Sequence, residues 1–174
     1  AGRMAGMINS LLEYFRLDSG KEMPSVKPFK LCSIAETLKT EFEPLAERKQ
    51  LSFMVENQAD EIASGDKDRI LSIGSNLLSN AIKFTSNGTI TLVTECKEST
   101  FVLTVEDTGT GMTEEQQQRI FIPFERLGNA VTEDGFGLGL AIVADTVKLL
   151  QGTVRVESKP GKGSRFTVCL PLPK

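Results

Sequence analysis

The chain has 174 residues, 40% hydrophobic and 25% charged, which is enough apolar content to bury one core and points to one principal domain. Its 20 basic residues stand against 23 acidic ones for a net charge of −3, with no basic run, and this excludes the electrostatic footprint of a nucleic-acid binder. With no histidine there is no imidazole for a metal site or a Ser-His triad, so oxygen ligands and magnesium are the expected metal chemistry. Cys32, Cys96 and Cys169 are odd in number, far apart and without C-x-x-C spacing, as free thiols in a reducing compartment would be. No apolar stretch approaches the roughly 20 residues of a membrane span, and the amino end lacks a basic region followed by an apolar core. The expectation is a cytoplasmic chain with no membrane contact of its own.

In chain order, Met4, Ile8, Leu11 and Phe15 recur at helical spacing and stop at Asp18-Ser19-Gly20. Pro24 and Pro28 make the next stretch extended and helix-averse, which sets residues 1–22 apart as a helix, 23–30 as a linker and 31–174 as the main domain. Ser33 is placed to cap a helix with the face Ile34, Leu38, Phe42 and Leu45, and Leu51, Phe53 and Val55 then alternate as a strand. Asp66 caps a long helix running to about Thr85, broken by Asn87-Gly88. Two alternating strands follow, one with Ile90 and Leu92, the other with Phe101, Leu103 and Val105, as antiparallel neighbours. Thr113 with Gln116 reads as a capping box, Gly128 to Gly135 as a loop, and Leu138 to Leu150 as a helix stopped by Gly152. Val154 and Val156, then Phe166, Val168 and Leu170, flank Lys159-Pro160-Gly161-Lys162-Gly163 as a closing hairpin. The tally is α+β, an α/β sandwich of two layers with a mixed, mostly antiparallel sheet covered on one face by helices.

Four segments carry chemistry. On the long helix, at about 100° per residue, Asn76, Asn80 and Lys83 share one narrow stripe bordering the apolar arc of Ile70, Ile73, Leu77 and Ala81. Neutral amide oxygens suit a hard cation and an ammonium suits phosphate, so the stripe reads as a cleft wall for a magnesium-bridged polyphosphate, with a plain solvated face as the alternative. Asp107 falls on the same side of its strand as Phe101, Leu103 and Val105, and a core-side carboxylate needs a partner. The exocyclic amino group of adenine would serve and the carbonyl of guanine would not, so ATP is favoured over GTP. Gly109 and Gly111 let the backbone pass close beneath a base; alternatively Asp107 only caps that turn. Gly135-Phe136-Gly137-Leu138-Gly139-Leu140 opens a helix whose free N–H groups face an anion. It follows a long loop rather than a strand, against a dinucleotide fold, and no G-x-x-x-x-G-K-S/T is present. Phe121, Pro123 and Phe124 read as anchors for the loop, or as plain core, and Arg126 as a group able to reach a γ-phosphate.

In this order and at these separations the segments resemble the asparagine box, first glycine box, phenylalanine box and second glycine box of the sensor histidine kinases, over roughly Leu31 to Leu172. The resemblance implies the Bergerat-type ATP-binding fold shared with gyrase, the Hsp90 chaperone and the MutL ATPase. It implies that Asn80 ligates magnesium, that Asn76 and Lys83 contact phosphates, and that Phe84 borders the nucleotide. It further implies that Asp107 binds the adenine amino group above Gly109 and Gly111, and that Gly135, Gly137 and Gly139, with Leu138 and Leu140, line the phosphates under a mobile lid from Gly128 to Asp134. Asn80, Lys83 and Arg126 are then the catalytic candidates. The implied partners are ATP, a histidine-bearing dimerisation domain of a homodimeric parent, and a response-regulator receiver domain. Residues Met7 to Asp18 resemble the tail of the second dimerisation helix, and with no histidine in the chain autophosphorylation by it alone is not expected. The ATPase relatives place a glutamate base where Asn76 stands, and an amide cannot take that proton, so negligible hydrolysis is expected. Two other classes stay open: a degenerate ATP-binding docking module, and a serine kinase of the anti-sigma-factor type.

Overall fold

The computed structural model describes residues 2–124 and 138–173. Helix α1 (Gly2–Asp18) stops where the Ser19-Gly20 pair predicts: Ser19 Oγ donates to Arg16 O at 2.7 Å, and Gly20 takes φ +70°. Part of the stretch read as linker forms a strand, β1 (Lys27–Lys30), paired antiparallel with β3 (Ile62–Gly65), a strand the periodicity did not reveal. Both are four residues long, too short for a period of two to register, and β1 tolerates Pro28 because it pairs on one side only.

Helix α2 (Cys32–Arg48) buries Ile34, Ala35, Leu38, Phe42 and Ala46. Two expectations need correction here. The cap position is Leu31, and Ser33 lies inside the first turn, where its Oγ donates back to Lys30 O at 2.6 Å. The fourth position of the buried face is Ala46, spaced by four from Phe42, and Leu45 turns outward. Strand β2 (Ser52–Gln58) leads past β3 to α3 (Lys67–Phe84), whose N-cap Asp66 accepts from Arg69 N at 3.1 Å as read from the sequence.

Strands β4 (Thr89–Lys97) and β5 (Thr100–Asp107) are antiparallel neighbours in the expected register of inward Ile90, Leu92, Phe101, Leu103 and Val105. The Thr113 and Gln116 capping box opens α4 (Glu114–Arg119) with both reciprocal bonds made. Helix α5 (Gly139–Leu149) precedes the closing hairpin of β6 (Thr153–Lys159) and β7 (Gly163–Pro171). The main sheet runs β2-β4-β5-β7-β6, with only the β2–β4 pair parallel. Helices α2, α3 and α5 pack against it through one cluster that includes Ile34, Leu38, Leu77, Leu103, Val143 and Val168. Each side chain of that size, fully withdrawn from water, contributes about 1.5–3 kcal/mol. The architecture is the expected two-layer sandwich, and its helix-facing side carries Asp107 at the end of β5 beside the C-terminal turn of α3.

Candidate functional site: the cleft between helix α3 and the glycine loops

The apolar arc of α3 is buried as its spacing demands, with Ile70, Ile73, Leu77 and Ala81 at 2% exposure or less. Asn76, Asn80 and Lys83 stand beside it, each half-buried, on the border between the buried arc and the surface. Asn76 is held: its Nδ2 donates to Ser72 O at 2.8 Å, and its Oδ1 lies 3.2 Å from where a Cβ on Gly139 would sit. That places the amide against the amino end of α5, where the first backbone N–H groups have no partner within the helix. The Lys83 ammonium rests over the Phe84 ring, 5.1 Å from its centroid, which keeps the charge at the last turn of the helix.

At the end of β5, the alternation brings Asp107 to 6% exposure. Its Oδ1 accepts from Gly109 N at 2.9 Å, so Asp107 does cap the glycine turn. The cap does not use up the group, because a carboxylate offers about four lone-pair sites. Burial pushes its carboxyl above the ordinary value; the amides of Gly109 and Ser164 pull the other way, and Glu106 adds to the rise. The loop then runs close to the end of α3, with Thr110 N donating to Phe84 O at 3.3 Å. A Cβ on Gly109 would stand 2.3 Å from Phe84 O, and one on Gly111, at φ +67°, 1.9 Å from Lys159 O. Glycine is required at both positions by backbone approach, not by flexibility.

Register supplies what the one-dimensional reading missed. Ser164 on β7 lies directly opposite Asp107, and its hydroxyl is 2.8 Å from Ser158 Oγ, which donates to Gly163 O and accepts from Met112 N. Thr85, fully buried at the end of α3, has a hydroxyl without a hydrogen-bond partner among the described residues. Its Oγ1 lies 2.9 Å and Asp107 Oδ1 3.0 Å from the point a Gly109 Cβ would take. A serine in a hairpin and a threonine after a helix carry no signal until strand pairing sets them beside an acid.

On the far side, Leu138 is buried and Leu140 half-buried, so they seat the start of α5 while Gly139 faces Asn76. Phe121 packs edge-on against Phe166 with centroids 6.4 Å apart, whereas Phe124 is 56% exposed at φ +65°. Arg126, Gly135, Gly137 and the Gly128 to Asp134 loop lie outside the described residues. Among the described residues no group of three or more Cys, Asp or Glu side chains forms a metal cage, and no helix is long and apolar enough to cross a membrane.

Comparison with known proteins agrees with the fold and identifies the family. Residues 65–174 match the family described as histidine kinase-, DNA gyrase B- and HSP90-like ATPase. The chain is 34% identical over 170 residues to the sensor histidine kinase RcsC of Salmonella typhimurium, covering 95% of this chain and 18% of that protein. Full-length ShkA, solved in complex with AMPPNP, is similar at a TM-score of 0.87 and 26% identity over 98% of this chain and 36% of its own. The catalytic domain of the histidine kinase ThkA is similar at a TM-score of 0.73 and 26% identity, over 84% of this chain and 95% of that domain. The chain thus spans less than a fifth of RcsC and nearly all of an isolated catalytic domain. With the family match covering most of the chain and a relative 34% identical over 95% of it, this protein belongs to the histidine kinase-, DNA gyrase B- and HSP90-like ATPase family, as a homologue of sensor histidine kinase catalytic domains.

Proposed function

We propose that the cleft between α3, the Asp107 loop and the amino end of α5 binds Mg-ATP, and that the chain serves as the catalytic domain of a sensor histidine kinase. One observation carries the reading: a buried carboxylate at a glycine turn stands beside the last turn of the helix that bears the half-buried Asn76, Asn80 and Lys83 stripe. Asp107 accepts from the adenine amino group, and Gly109 and Gly111, packed against Phe84 O and Lys159 O, hold the turn that carries it. Asn76, Lys83 and the N–H groups opening α5, with Gly135, Gly137 and Gly139, hold the phosphates, and Arg126 reaches the γ-phosphate. A half-buried neutral amide suits magnesium, which takes much of its coordination from phosphate oxygens and water; Asn80 would hold it, and it would neutralise charge on the transferring group.

The side chains position and neutralise; they supply no base. Asn76 donates to Ser72 O and, as an amide, takes no proton from water, which supports transfer over hydrolysis. In the transfer, the bond from the γ-phosphorus to its bridging oxygen breaks and one to an imidazole nitrogen forms. ADP leaves, and the imidazole proton passes to solvent. The acceptor belongs to a dimerisation domain, since this chain has no histidine, and a receiver domain of a response regulator takes the phosphoryl group next. The test is a transfer assay from γ-labelled ATP to a separately supplied helix pair bearing the acceptor histidine, alongside calorimetric titrations with Mg-ATP and Mg-GTP. The expected result is ATP-selective binding, label on histidine, and no label on the chain alone. Binding without transfer would support a docking module, label on serine an anti-sigma-type kinase, and absence of binding would sink the reading.

A further inference from the structure

The C-terminal end of α3 is closed by donors from outside the helix. A helix leaves its last carbonyls without partners, and here remote segments meet them. Thr110 N takes Phe84 O. The ammonium of Lys49 donates to Ile82 O at 2.5 Å and Thr85 O at 3.0 Å, and to Lys83 O at 3.4 Å. The backbone N–H of Lys49 is itself the C-cap of α2, bonding to Ala46 O and Glu47 O, so one residue ends α2 with its backbone and α3 with its side chain.

The turn that Lys49 closes is the one bearing Asn80, Lys83 and Phe84. Two effects follow from elementary physics. Carbonyls left to water let a last turn fray, which would loosen the aim of those side chains. The carboxyl end of a helix also carries about half a negative charge, the wrong sign beside a polyphosphate, and an ammonium on its carbonyls offsets it. We infer that Lys49 is a positioning residue for the nucleotide phosphates: it touches no part of the ligand and acts through the Ile82, Lys83 and Thr85 carbonyls on the last turn of α3. The inference rests on the proposed placement of Mg-ATP along that helix.

The experiment is calorimetric titration of Mg-ATP into the full chain and its Lys49→Met, Lys49→Gln and Lys49→Arg variants. It is run at 10 °C on samples whose far-UV circular dichroism matches the unsubstituted chain, with melting curves recorded in parallel. Lys49→Met weakens the dissociation constant by about three- to tenfold, the range a helix-end charge supports. Lys49→Gln keeps a donor without the charge and is also weakened, and Lys49→Arg, which keeps both, restores most of the affinity. A purely structural cap would lower the melting temperature and leave the affinity of the folded chain untouched, and that result overturns the inference. Should Lys49→Met not fold, Lys49→Gln decides: unchanged affinity refutes the charge effect. An unsubstituted chain that binds no Mg-ATP removes the nucleotide reading itself, and this inference with it.

Discussion

Asp107 is turned inward by the same alternation that buries Phe101, Leu103 and Val105, and its polarity is tolerated because the Gly109 amide meets it at 2.9 Å. Asp107→Asn should leave the circular dichroism spectrum intact and weaken Mg-ATP binding at least tenfold, as loss of a hydrogen bond to a charged group worth about 1.5–3 kcal/mol requires. The direction of the Asp107 shift adds a pH signature. Burial raises the folded carboxyl above its unfolded value, so ionisation is disfavoured in the fold, and the penalty is absent where both states are protonated. It sets in as pH rises from the ordinary carboxylate value, near about 4, to the raised one. Urea unfolding should therefore show the stability of the unsubstituted chain gaining on that of Asp107→Asn as pH is lowered through that window. A difference that does not change with pH would count against a desolvated carboxyl.

Among the elements, α4 has the least to hold it: six residues, none of them buried. Local chemistry favours a helix there through the paired bonds of Thr113 and Gln116 at 2.9 and 3.1 Å, and Gln117 Nε2 ties it to Ser158 O at 3.0 Å. Thr113→Ala should cost about 1 kcal/mol, read as a fall in the urea midpoint with an unchanged slope. Helix α3 is the contrasting case, since its periodicity shows plainly in the sequence. Its end at Phe84 depends on Thr110 and Lys49, which come from a loop and from another helix.

Across the whole molecule, the described side chains of α1 lie outside the core cluster, which begins at Leu31. Helix α1 nevertheless packs along α5, and Ser72 Oγ donates to Glu13 Oε1 at 2.9 Å, so it spans the two helices that border the cleft. Beyond it, the Glu22–Arg69 ion pair at 2.8 Å and the Ser25 amide on Asp66 fasten the connecting segment. A chain starting at Lys21 is expected to keep a single cooperative urea transition and its Mg-ATP affinity, because neither core nor cleft residues leave with α1. Loss of cooperativity would make α1 part of the domain.

Features that depend on neighbours along the chain are legible in its residues. The α3 stripe follows from a period of 3.6, the inward Asp107 from a period of 2, the Asp66 and Thr113 caps from side chains that reach three residues on, and the hairpin from its proline and glycines. The order of the asparagine and glycine motifs was legible for the same reason. Only the tertiary structure decided what depends on segments meeting. The β1–β3 pair joins residues more than thirty positions apart in strands too short to show a period. Ser164 reaches Asp107 only through the β5–β7 register, and Thr85 comes near it only where the glycine loop crosses the end of α3. Lys49 closes that helix from the end of another. Ser33 and Leu45 were misplaced because a local rule names a candidate, while the angle at which α2 meets the sheet chooses which face is buried and where the helix begins.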